Sequence, residues 1–281
     1  MDKFSTLLNL TRINKPIGIF LLLWPTLCAI LLASEGIPSI KILVIFRLGT
    51  ILMRSAGCVA NDLADRNLDI FVERTKNRPI TSGLVSSRDA VILLFILLIC
   101  SFVLVIQLNY LTILISFAAL LFSLTYPFTK RFFAIPQLYL GVTFGFGILM
   151  AFSEIQNTIT LEAQILFISN IFWVFAYDSH YAISDMEDDK KLNIHSAPLT
   201  FNNKIILMIT LSYFLMFLGL SIIGFLKEFT ISFYVLLVLA MIVSMYGCFE
   251  SRHMKPDKNF KAFLRNHDVG FIIFAGFFSQ I

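Results

Sequence analysis

The chain has 281 residues, of which 58% are hydrophobic and 14% charged, with 30 Phe and a formal charge of +4. A water-soluble domain of this length carries far more polar surface, so composition excludes one and leaves a chain that crosses a membrane several times. Cys28, Cys58, Cys100 and Cys248 are scattered through apolar runs, with neither disulfide nor zinc spacing, and read as small packing residues.

Residues 1–16 form a short amphipathic lead with Lys3, Arg12 and Lys15, ending at Pro16. The first apolar run starts near Ile17 and continues into a full span to about residue 34 without a small-residue cleavage pattern, so no separate signal peptide is expected. An N-terminus poor in Arg and Ser argues likewise against an organellar transit peptide. Trp24-Pro25 marks a kink in that span. A second span, 40–60, holds Arg47 and Arg54, and a polar stretch, 61–83, follows directly. Ser86 or Ser87 can cap a third span at 89–107, and Asn109 marks a tight turn into a fourth that runs to Tyr126. Thr129-Lys130-Arg131 separates it from a glycine-rich fifth, 133–152, and a polar turn at 154–158 leads to a sixth, 160–182. Spans at 205–225 and 229–249 follow, then a polar basic loop and a short last span near Val269. The expected architecture is all-α: a polytopic membrane protein, a single domain over 1–281, with a bundle of about nine transmembrane helices.

Lysine and arginine set the orientation. With the N-terminus in the cytoplasm, the inward segments hold nearly all of them, and the outward turns hold only Lys41 and Lys227. This bias supports the span assignment and puts the polar stretch 61–83 on the cytoplasmic side.

That stretch opens N-D-x-x-D-x-x-x-D. Asn61, Asp65 and Asp69 are spaced by four, which places them near one face of a continuing helix. Oxygen ligands on one face suit a hard cation such as Mg2+, bound through a few carboxylates and substrate phosphates. An isolated motif of this kind is more often an ordinary solvated helix end. A second acidic cluster at the end of the sixth span is what that reading leaves unexplained. There Asp185 and Asp189 are again four apart, and they emerge on the same side. Two facing carboxylate sets can hold divalent ions that bridge a diphosphate.

Each motif continues into the membrane. Arg54 lies two turns before Asn61, Asp178 lies two turns before Asp185, and Tyr181 falls between Asp178 and Asp185. Ionisable groups at that depth usually face a protein cavity. Arg54 either binds a ligand, snorkels, or pairs with Asp178. Lys130 and Arg131 end the fourth span on the same side, and Arg66, Arg74, Lys76 and Arg78 lie in or after the first motif. Such groups suit phosphate contact, although positive-inside topology alone would also place them there.

These elements carry a resemblance. N-D-x-x-D-x-x-x-D at 61–69 and D-x-x-Y-A-x-x-D-x-x-D-D at 178–189 are similar to the two signature motifs of the UbiA superfamily of intramembrane aromatic prenyltransferases. The stretches at 12–26, 53–58, 74–83, 126–131, 136–145 and 260–263 resemble the branch of it that prenylates 4-hydroxybenzoate, so the similarity covers nearly the whole chain. The resemblance implies a helical bundle around a central cavity that opens sideways to lipid, with Mg2+ as cofactor. It implies transfer of a polyprenyl group from its diphosphate to carbon 3 of 4-hydroxybenzoate, in ubiquinone synthesis, within a bacterial inner membrane and with the active site on the cytoplasmic side. The partners expected are the two substrates and membrane lipid, with no nucleic acid. Carried onto this chain, Asn61, Asp65, Asp69, Asp185 and Asp189 would hold the metal–diphosphate. Arg66, Lys130 and Arg131 would neutralise the leaving group. Arg54 would bind the benzoate carboxylate, and Asp178, with Tyr181 beside it, or a metal-bound group would accept a proton. Asp62 belongs to the motif, but its face is rotated. The stretch from Arg74 to Gly83 reads as a loop over the mouth, a lid on the diphosphate.

Two departures stand out. Lys191 to Ser196 lacks the Gly and one Lys common in relatives, which leaves His195 in doubt as a phosphate contact, and His180 stands where relatives often have Gln. Packing is the favoured reading of His180. The rival readings are a superfamily member with another acceptor (naphthoate, homogentisate or haem) and a cation-coupled transporter, which also places acids within spans.

Overall fold

The computed structural model describes residues 3–72 and 75–281, with side chains from residue 6 onward, so Arg74 and the side chain of Lys3 lie outside the described residues. All regular elements within them are helical, the state that satisfies every backbone polar group inside hydrocarbon within one segment. After α1 (Lys3–Thr11) come the long helices α2 (Ile17–Ser34), α3 (Ile40–Asp65), α4 (Ser87–Val105), α5 (Tyr110–Thr129), α6 (Pro136–Gln156) and α7 (Leu161–Lys191). A short α8 (Ala197–Phe201) leads to α9 (Ile205–Leu226), α10 (Ile231–Ser251) and α11 (Pro256–Phe278). Among the described residues, seven helical segments are long and apolar enough to cross a membrane. The other two long helices, α7 and α11, have 31 and 23 residues and carry more polar groups.

The helix starts follow local chemistry. Ser86 Oγ accepts from the Asp89 amide at 3.1 Å, Asn109 Oδ1 from the Thr112 amide at 2.8 Å, and Thr160 Oγ1 from the Ala163 amide at 3.4 Å. Each satisfies an amide that the first turn leaves open. The last helix departs from expectation. The basic segment before Val269 is not a loop: α11 begins at Pro256, and Asn259, Ala262, Asn266, Val269, Gly270 and Ile273 form its buried stripe. Two asparagines and a glycine in that stripe lower its hydropathy, which hides the helix. Both asparagines are occupied: Trp173 Nε1 and the Tyr213 hydroxyl donate to Asn266 Oδ1 at 2.8 and 3.0 Å, and Asn259 Oδ1 meets His180 Nδ1 at 2.9 Å.

The helices pack in a circuit. α3 lies on α2, α4 and α5; then α5–α6, α6–α7, α7–α9, α9–α10 and α10–α11 lead round to α11 against α2. α2 also crosses to α6, and α7 to α11. The main core runs through α2, α6, α7, α9 and α11, and a smaller cluster, with Ala56, Val59, Ala90 and Leu97, joins α3 to α4. A Cβ at Gly141 would stand 2.9 Å from Ile171 Cα, so glycine sets the close approach of α6 to α7. The two acid-bearing helices, α3 and α7, are not among the closely packed pairs. The space between them holds the candidate site.

Candidate active site

Helix α3 carries the first motif only as far as Asp65. Asn61 and Asp65 lie one turn apart on it, whereas Asp69 opens a separate 3-10 turn, Asp69–Phe71. The expectation of one helical face for all three therefore fails at the third residue, because the chain leaves the helix at Arg66. Ion pairs bring Asp69 back. Arg78 Nη1 lies 2.6 Å from Asp69 Oδ2 and 3.1 Å from Asp62 Oδ1, and Arg12 Nη2 lies 2.5 Å from Asp62 Oδ1. Asp62, Asp65 and Asp69 are all nearly fully buried, at 2%, 1% and 5% exposure, and buried carboxylates require such partners. Asp62 thus serves as the anchor for the turn after α1 and for the segment that follows the motif. That segment is held further by Thr75 Oγ1 donating to the Asp69 carbonyl at 3.0 Å.

Lys130 and Arg131, adjacent at the end of α5, diverge. Lys130 Nζ reaches Asp65 Oδ2 at 2.5 Å, and the Lys130 carbonyl accepts the His195 amide at 2.8 Å. The turn after α7 is thereby joined to the end of α5 by backbone, while the His195 side chain faces out. Arg131 instead gives Nη2 to the Ala64 carbonyl at 2.8 Å, and Arg66 points to Ser87 Oγ at 3.5 Å. Among the described residues neither pairs with a carboxylate, whereas Arg78 pairs with both Asp69 and Asp62.

Deeper in the space, Arg54 on α3 donates Nη1 to Cys58 Sγ at 2.8 Å and rests on α2 at Gly18. Asp178 on α7 lies in the electrostatic reach of Arg54 and Asp185, beside the Gln137 side chain. Gln137 opens α6, and its Oε1 takes the Ala197 amide at 3.0 Å. Tyr126 on α5 feels Asp178, Asp65, Arg54 and Tyr181 together. Tyr181 packs on Phe263 of α11, with ring centroids 5.0 Å apart. Asp185 and Asp189 follow on α7, which stays helical through the second motif, as its spacing requires. Sequence reasoning missed Tyr126, Gln137 and Gly18. Tyr126 stands four residues before Lys130, a same-face spacing that would have flagged it. Gln137 is a lone polar residue in an apolar run. Gly18 offers no comparable signal. His180 is fully buried against Asn259 and serves packing between α7 and α11.

The donor set suits a hard cation. Asp65 Oδ2 is taken by Lys130, but its Oδ1 is buried without a hydrogen-bond partner, an oxygen with capacity to spare. Among the described residues no three acidic, His or Cys groups converge closely enough to hold an ion by themselves.

The sequence profile of the UbiA prenyltransferase family matches residues 22–271. The chain belongs to that family. It is 48% identical over 277 residues to a 4-hydroxybenzoate octaprenyltransferase of Nitrosomonas eutropha, covering 98% of this chain and 96% of that one. A protein of the same name from Paraburkholderia phymatum is 49% identical over 272 residues, covering 96% and 94% of the two chains. Among solved structures, a UbiA homolog from Aeropyrum pernix in its apo form superposes with a TM-score of 0.79 at 24% identity over 93% of this chain and 97% of that one. A UbiA homolog from Archaeoglobus fulgidus bound to GPP and Mg2+ gives 0.73 at 18% identity over 98% and 99%. These two likenesses establish the fold.

Proposed function

We propose that the chain transfers a polyprenyl group from polyprenyl diphosphate to carbon 3 of 4-hydroxybenzoate, in ubiquinone biosynthesis, from the cytoplasmic side of a bacterial inner membrane and as one catalytic domain over 1–281. The observation that carries this reading is near-full-length identity of almost one half to relatives named for that reaction. The layout of the site supports it: acids and cations at one end of the space, and Arg54, Asp178 and tyrosines below them.

Asn61, Asp65, Asp69, Asp185 and Asp189 would hold Mg2+ and, through it, the diphosphate. Bound there, Mg2+ supplies Lewis-acid neutralisation of the departing diphosphate. Lys130 and Arg78 add positive charge beside it, which favours ionisation of the allylic C–O bond. The Tyr126, Tyr181 and Phe263 rings give the resulting allylic cation an aromatic surround that excludes water. Arg54 takes the benzoate carboxylate by a bidentate contact, and Asp178, beside Gln137, accepts the proton released by the ring or the phenol.

The test is turnover by purified chain with Mg2+, octaprenyl diphosphate and 4-hydroxybenzoate. Prenylated hydroxybenzoate and diphosphate should form in equal amounts. Diphosphate without prenylated hydroxybenzoate would refute the acceptor, and no diphosphate release would refute the reaction.

A further inference from the structure

A cavity lies apart from the space between α3 and α7. It is a cleft of about 740 Å3 between α3, α4 and α5, closed at one end by the turn after α7. Ala60 and Ala64, one turn apart on α3, open it, and Leu94 of α4 and Phe128 of α5 form its walls. Each alanine precedes a motif residue, Asn61 or Asp65, by one position, so the cleft lies roughly 100° around α3 from the metal-binding side. None of its lining residues is Asp or Glu, and its polar rim includes Arg66 and Arg131. Arg131 is set in place by the Ala64 carbonyl at 2.8 Å and lies over the Phe128 ring at 5.2 Å. Neither arginine forms an ion pair with a carboxylate of the described residues.

We propose that this cleft binds an anionic phospholipid of the surrounding leaflet, with its phosphate at Arg66 and Arg131 and an acyl chain along Ala60, Ala64, Leu94 and Phe128. Two guanidinium groups at the mouth of an apolar slot match one phosphate on a hydrocarbon chain. A prenyl diphosphate with its metal fits less well, because no Asp or Glu lines the cleft to hold the metal. Lipid is also what the cleft adjoins: Phe95 and Ile96 of α4 and Leu121 of α5 are 60%, 52% and 62% exposed. A lipid seated there touches the back of the first acidic motif and the turn after the second.

The test is native mass spectrometry of the full chain, delipidated in detergent and titrated with phosphatidylglycerol or phosphatidylcholine. Unaltered protein should retain phosphatidylglycerol about tenfold better. Arg66→Gln/Arg131→Gln should bring the two lipids within about twofold of each other, and Arg66→Gln alone, at an exposed position, should fall between. Leu94→Trp, which fills the apolar part and leaves the charges, should reduce phosphatidylglycerol retention by at least about fivefold. Folding of each variant is checked by its elution profile and helical circular dichroism. An unchanged phosphatidylglycerol preference in folded Arg66→Gln/Arg131→Gln would overturn the proposal. So would loss of Mg2+–geranyl diphosphate binding with lipid preference intact, which would give the arginines to the prenyl donor.

Discussion

The Arg54 guanidinium lies against the bare Cα of Gly18: a Cβ at that position would stand 2.4 Å from Arg54 Nε and 2.5 Å from Nη2. One methyl group on α2 would therefore move the proposed acceptor contact on α3. Gly18→Ala should raise KM for 4-hydroxybenzoate by about tenfold, the effect of roughly 1–2 kcal/mol of displaced packing, with KM for the prenyl donor little changed. Steady-state kinetics with each substrate varied in turn would check it. An equal rise in both constants would place the damage elsewhere.

Arg54→Ala should go further in the same direction. Loss of a charge-assisted carboxylate contact costs about 2–3 kcal/mol, or roughly 30- to 160-fold in kcat/KM for 4-hydroxybenzoate. An unchanged apparent affinity for that acid would sink the assignment.

Lys130 and Asp65 form a partly buried pair, the carboxylate enclosed and the lysine side chain 26% exposed, so removing one partner should cost more than removing both. Lys130→Met leaves an uncompensated carboxylate and should destabilise the chain by about 2–3 kcal/mol, less than a fully buried pair would cost. Lys130→Met/Asp65→Leu should recover most of that loss in thermal unfolding yet remain inactive. Recovery of turnover by the double variant would show that neither residue serves the reaction.

Arg78 clamps Asp62 and Asp69 from the segment that follows the motif. Arg78→Gln should loosen residues 75–85 relative to α3. Hydrogen exchange there should rise by at least about tenfold while exchange in α9 and α10 stays constant. Uniform acceleration would mean global destabilisation instead.

His180 ties α7 to α11 through Asn259, so its role is structural. His180→Ala should lower stability by about 1–3 kcal/mol, read as a drop in the unfolding temperature, and leave KM for 4-hydroxybenzoate within about twofold.

Much of this was legible in the sequence, and the parts that were not share a cause. The helix start at Ser86 and the turn into α5 at Asn109 could be read because a side-chain cap is local chemistry. The long extension of α7 followed from the four-residue spacing of its acids. α11 was hidden because Asn259 and Asn266 are polar on a buried face, and their partners, His180, Trp173 and Tyr213, lie far away in sequence. Asp69 left the helical face because spacing alone does not reveal where a helix ends. The opposite directions of Lys130 and Arg131 were equally invisible, since neighbours in sequence at a helix end turn to different sides. The residue types of the site are a local signal; which cation meets which carboxylate is a tertiary one.

The carboxylates of the mouth already carry counterions of the chain's own making: Lys130 on Asp65, Arg78 on Asp69 and Asp62. A metal–diphosphate held by these acids would be exchanged rather than added, as in a resin loaded in one ionic form. Lys130 and Arg78 would give up their carboxylates and find the diphosphate as a new partner, so local charge would stay close to balanced. After reaction the same two cations would have their old partners within reach. Capture and release would thus draw on one set of ion pairs.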